Sequence, residues 1–131
     1  MKRLAIVLST AALIATSALA DKAADATKLV NEAYDFCSSK GKAECVKAIN
    51  GGKFNKYDLY VFSFDMKGAV VAHGAKPALT GKDLSKYTWT ADMAKTSAAG
   101  EGWVNYPWKD KPKTSFVKGL GDYFVGAGYY K

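Results

Sequence analysis

Three segments in the last third of the chain narrow its fold more than anything before them. They are G-E-G-W-V-N-Y-P-W over 100–108, P-K-T-S-F-V-K over 112–118 and G-D-Y-F-V-G-A-G-Y-Y over 121–130. Aromatic and branched residues alternate in each, and glycine, proline, lysine and aspartate separate them. Side chains on a strand point alternately to opposite faces, so such runs make half-buried strands joined by tight turns. The spacing predicts a three-stranded antiparallel meander with a proline–lysine turn between its first two strands. One face would carry a row of rings and line a small pocket.

The other end reads differently. Lys2 and Arg3 precede an apolar run over 4–14, and Ala18-Leu19-Ala20 has the small-x-small form of a processing site. That is the pattern of an export leader removed after Ala20. The competing reading, a membrane anchor, meets Ser9, Thr10, Thr16 and Ser17, whereas a spanning helix needs about 20 predominantly apolar residues. The expectation is a signal peptide over 1–20 and one domain over 21–131. It would be periplasmic or secreted, with no membrane span after cleavage.

The formal net charge is +7, yet Arg3 is the sole arginine. Arginine is the usual group for bidentate recognition of phosphate, carboxylate and guanine. An exported chain without it beyond the leader is not expected to bind nucleic acid. The lysine surplus favours anionic ligands or surfaces.

Residues 24–39 carry Leu29, Val30, Ala33, Phe36 and Cys37 at helical spacing, an apolar stripe that predicts a first helix. Gly41 is placed to end it in a left-handed conformation. A short second helix is expected over 42–49. Cys37 and Cys45 would face each other across this turn. An even cysteine count in an exported chain suggests a structural bridge, and the rivals are a redox pair or metal ligands. The spacing is not C-x-x-C and no histidine is near.

The period then changes. Residues 57–65 alternate, with Tyr60, Phe62 and Phe64 on one face and Leu59, Val61 and Ser63 on the other, as in a central strand. Asp65-Met66-Lys67-Gly68 reads as a turn, and 69–73 as the returning strand, with Ala69, Val71 and His73 on one face. A loop over 74–86 and a short helix over 90–99 lead into the meander. The order gives an α+β domain, helices packed on a five-stranded antiparallel sheet.

Several of these segments together resemble the single Cache domains, PAS-related extracytoplasmic small-molecule sensors. D-L-Y-V-F-S-F-D-M-K-G-A-V-V-A-H-G over 58–74 looks like the family's hairpin, an aspartate-x-x-glycine turn followed by a strand ending in histidine. T-G-K-D-L over 80–84 looks like the stretch that follows it. The three closing segments are similar to the family's G-x-G-x-x-x-Y-x-W, P-K-x-x-Y/F-x-K and G-x-G-x-Y strands. Receptor-linked relatives have membrane helices on both sides and an output domain. A leader followed by one domain implies a freestanding soluble member.

The resemblance also implies a site on the concave face of the sheet for a small organic anion such as a short-chain carboxylate. By position its candidates are His73, Tyr106, Trp108 and Lys113, with Tyr60 and Phe62 as walls. A carboxylate in an apolar pocket needs a cation and two or three hydrogen-bond donors. Lys113 would supply the charge, Tyr106 and His73 the donors, and Trp108 and Phe62 a limit on chain length. Lys118 is a weaker choice of cation. A bound anion would raise the pKa of His73 and make affinity depend on pH.

Each residue has an ordinary alternative. His73 also reads as a strand cap, the aromatic residues as core, and Lys113 as a solvated lysine beside a proline turn. Nothing has the spacing of a catalytic triad, a phosphate loop or a metal site, and no cofactor is expected. The expected function is non-catalytic binding or sensing, with a membrane receptor or sensor kinase as a possible partner. The alternative is an adaptor with a vestigial pocket that docks to a receptor or redox complex through its lysine-rich surface.

Overall fold

The computed structural model describes residues 2–131, with side chains from Asp21 onward. The leader expected over 1–20 therefore lies outside the residues described with their side chains. Among the described residues, no helix is long and apolar enough to cross a membrane.

Helix α1 (Lys2–Lys40) ends at Gly41, whose φ of 90° suits glycine alone at low cost. The Gly41 amide donates to the Cys37 carbonyl at 2.9 Å, and α2 (Lys42–Asn50) starts at once. So short a turn brings Cys37 and Cys45 into a disulfide, both side chains buried. The bridge ties the two helices together where they meet the sheet.

The sheet contains β1 (Phe62–Asp65), β2 (Val70–His73), β3 (Glu101–Trp108), β4 (Lys111–Gly119) and β5 (Tyr123–Tyr130). Its order is β2-β1-β5-β4-β3 with antiparallel pairing throughout. The first hairpin thus inserts beside the last strand, and β1 is an interior strand, as its two apolar faces predict.

Those faces divide the core in two. Leu59, Val61, Phe116, Val125 and Ala127 pack under Leu29, Val30, Ala33 and Ile49 of α1 and α2. On the opposite face, Phe62, Phe64, Tyr106, Val117 and Phe124 pack with Trp89 and Met93 of α3 (Thr88–Ala98). The helices therefore cover both sides of the sheet.

Three local expectations are corrected. The strand expected over 57–65 is regular only from Phe62. Before it, Lys56 and Leu59 exchange backbone hydrogen bonds at 2.9 Å each way, and Tyr57 is turned out at φ 55°. In the returning strand, Ser63 pairs with Ala72 but Phe64 pairs with Val70, so Val71 is an extra residue. That bulge flips the alternation, and Val71 packs toward α1 and α2 instead of sharing the His73 face. Finally, the turn joining β3 and β4 is Lys109-Asp110, both at positive φ, while Pro112 lies inside β4 opposite Pro107. Lys113 is consequently a strand residue rather than a turn residue.

The turn read at Asp65 forms as its residues dictate. The Asp65 carboxylate accepts from the amides of Lys67 at 2.8 Å and Ala69 at 2.9 Å, and Gly68 has a φ of 95°.

Candidate functional site

The β3–β4 and β4–β5 registers place Tyr106, Lys113 and Tyr130 side by side on the face that looks toward α3. Phe62 enters from β1, Tyr60 from the segment before it, and His73 from the end of β2, opposite Phe62. Trp108 follows Tyr106 by two residues on the same face. All six residues read from the sequence meet around one cavity of about 10 Å³.

Two more walls, Phe64 and Trp89, complete it. Phe64 was legible as the same-face neighbour of Phe62. Trp89 was not, because the helix expected over 90–99 in fact begins at Thr88 and so carries Trp89 onto the cavity. Its ring lies 4.9 Å from that of Tyr106 and 5.9 Å from that of Trp108. The cue lay in T-W-T, where a helix start can aim an aromatic back at the sheet.

Glycine makes the cavity possible on the β5 side. A Cβ on Gly126 would come within 2.6 Å of the Phe62 ring and 3.0 Å of Val117. Without one, Phe62 lies across the strand and walls the site.

Lys113 is the central group. It is 3% exposed, and its ammonium donates to the Tyr60 hydroxyl at 3.0 Å. The Nζ also sits 4.6 Å from the Tyr60 ring centre, 5.6 Å from that of Tyr130, 5.8 Å from that of Phe62 and 5.9 Å from that of Trp108. Aromatic faces attract a cation and offset part of its desolvation. None of the ion pairs among the described residues involves Lys113. Burial, and then the Lys109 ammonium, push its pKa down from 10.5 to about 8. Lys113 is thus a buried cation without a counter-anion, not the solvated lysine of the alternative reading.

His73 is buried and held firmly. Its amide donates to the Asn50 side chain at 2.9 Å, and its Nδ1 accepts from the amides of Ala75 at 3.2 Å and Lys76 at 2.9 Å. Two donors on Nδ1 leave the proton on Nε2. Burial, then Lys113, Lys109 and Lys76, lower its pKa to about 4, so the ring is neutral at pH 7 and offers an N–H. It lies between Tyr60, tilted at 4.8 Å, and Trp108, stacked at 6.1 Å.

The tyrosines are neutral donors. Burial raises Tyr60 to about 12, and it raises Tyr106 as well. The Tyr106 hydroxyl is hydrogen-bonded to Ser115 at 2.8 Å. Lys118, the weaker candidate, is on the far side. It donates to Asn31 at 2.9 Å, pairs with Glu101 at 3.4 Å and caps the Tyr34 ring, so the structure does not bring it to the cavity.

A family model described as a Cache domain, dCache_2, matches residues 9–131. The chain belongs to the Cache domain family. A solved Cache chemosensory domain, described for its recognition of carboxylic acids, is similar over 94% of this chain and 95% of its own, with a TM-score of 0.58 and 20% identity. A methyl-accepting chemotaxis protein of Vibrio parahaemolyticus matches 88% of this chain and 92% of its own, with a TM-score of 0.58 and 18% identity. The extracellular domain of a histidine kinase matches 70% of this chain but 36% of its own, with a TM-score of 0.52 and 18% identity. At these identities the likeness is one of fold. No curated protein matches the sequence.

Cache domains are extracytoplasmic modules that sense or bind small molecules, and the disulfide of this one fits an oxidising compartment. Among the described residues, no three His, Cys, Asp or Glu side chains gather for a metal ion.

Proposed function

We propose that this Cache domain is a periplasmic, non-catalytic binding or sensing protein whose ligand is a small organic anion such as a short-chain carboxylate. It would work as one domain over 21–131 once a leader is removed. Lys113 carries the reading. A lysine held in an aromatic cage, with no ion pair among the described residues, is costly to keep charged, and an incoming carboxylate relieves that cost.

In the bound state Lys113 forms the ion pair, and His73 Nε2 and the Tyr60 hydroxyl beside Lys113 donate hydrogen bonds. Tyr106, expected as a donor, has its hydroxyl engaged with Ser115 and instead surrounds the carbon chain with Trp108 and Phe62, while Tyr60, expected as a wall, takes the donor's place. The solved relative described for carboxylic acid recognition supports this ligand class by analogy of fold.

The cavity of about 10 Å³ holds about one water molecule, so an acid has to widen it. That small volume favours a second reading, an adaptor whose pocket is vestigial and whose lysine-rich surface docks to a receptor, sensor kinase or redox complex. A thermal-shift screen against C2 to C4 carboxylates separates the two. A saturable shift for wild type, absent in Lys113→Met, supports the binder. A folded protein with no shift across the panel supports the adaptor.

A further inference from the structure

A second hollow adjoins the first. Trp89 and Trp108, which wall the inner cavity, also wall a groove of about 350 Å³ that opens outward. Leu79, Leu84 and Pro107 give it apolar sides, and Lys76 and Lys109 stand on it. Its volume is that of an ordinary small-molecule site, whereas the inner cavity is not.

The charges around this pair of hollows do not balance. The ammonium groups of Lys113, Lys109 and Lys76 all bear on His73, and Lys109 bears on Lys113. The Lys76 side chain stands close enough to Lys109 to lower its pKa. None of these lysines enters an ion pair among the described residues. Asp110 borders the groove but forms no ion pair with them. Like charges gathered without a counter-ion repel, and one carboxylate at Lys113 leaves the outer pair uncompensated.

We infer that the ligand carries a second anionic group: a short dicarboxylate, one end at Lys113 in the inner cavity and the other between Lys76 and Lys109 in the groove, its spacer against Trp89 and Trp108. This rests on the carboxylate reading of Lys113 and names the class of acid it takes. Trp89 and Trp108 stand between the two hollows, so such an acid needs only its head group in the inner one, which still has to widen to take it.

The experiment is calorimetric titration of the purified protein with matched acids at constant ionic strength, butyrate against succinate and pentanoate against glutarate. Two solvent-exposed ion pairs predict that each diacid binds roughly threefold to tenfold more tightly than its monoacid. In Lys76→Gln/Lys109→Gln that advantage shrinks to about twofold. In Lys40→Gln/Lys95→Gln, which loses the same charge at exposed sites elsewhere, it persists. Equal affinity for monoacid and diacid in the wild type overturns the dicarboxylate while leaving the carboxylate site standing. An advantage lost equally in both variants overturns it too, since net charge then explains the preference. If no acid of either kind binds, both readings fall.

Discussion

Lys113 determines how this site responds to pH. Its pKa is near 8 in the fold against 10.5 when exposed, so between those values the unfolded chain holds a proton that the native chain has released. Stability of the free protein therefore rises as pH goes from 8 to 10.5, by about 3 kcal/mol in all. Denaturant melts across that range check it, and Lys113→Met should show no rise. At pH 7 that variant should be more stable than wild type by about 1–3 kcal/mol, because a buried unpaired charge has been replaced by an apolar chain of similar length. The same protonation governs binding. Carboxylate affinity should stay level between about pH 6 and 7.5, then fall by up to tenfold per unit above about pH 8.

His73 has a consequence of the same sign in the acid range. It is the one histidine in the chain, so its titration is read without ambiguity by NMR. The free protein should give a midpoint near 4, and stability should decline as pH falls from 6.5 toward 4 while the unfolded chain takes up the proton first. A midpoint above 6 would refute the account of a buried, neutral donor. The pH-dependence expected of His73 at the outset passes, near neutrality, to Lys113.

At the scale of elements, two contacts position the site. Gly126 on β5 leaves the space that Phe62 fills, and Gly126→Ala should cost about 1–3 kcal/mol in stability as Phe62 and Val117 are pushed aside. Thermal denaturation measures the cost, and an unchanged midpoint would show that Phe62 is free to move. The Cys37–Cys45 bridge closes a separation of only 8 residues between α1 and α2. A Cys37→Ser/Cys45→Ser variant should lose about 2–3 kcal/mol, and reductant should reproduce the loss in wild type but not in the variant. Asn50 ends α2 and accepts the His73 amide, so loosening the helical pair also loosens the histidine.

For the whole molecule, sheet and helices are arranged so that one face packs on α1 and α2 and the other carries the cavity. Leu59, Val61 and Phe116 serve the first, while Tyr60, Phe62, Tyr106 and Lys113 serve the second. A ligand at a hundred times its dissociation constant should stabilise the fold by about 2.7 kcal/mol at neutral pH, and by much less at pH 10 where Lys113 is neutral. The residue types and their periods determined by themselves the α+β class and the five strands; they suggested the disulfide, and the resemblance of motifs supplied the candidate site residues. Alternation decides facing locally, and tight turns decide which neighbours can meet. Only the tertiary structure decided the rest: the bulge at Val71, Trp89 as a wall, the groove behind Trp108, and Lys113 buried without a counter-ion among the described residues. Each of those depends on what lies across the sheet from distant parts of the chain. Burial and unpaired charge are properties of such an arrangement, and no local pattern carries them.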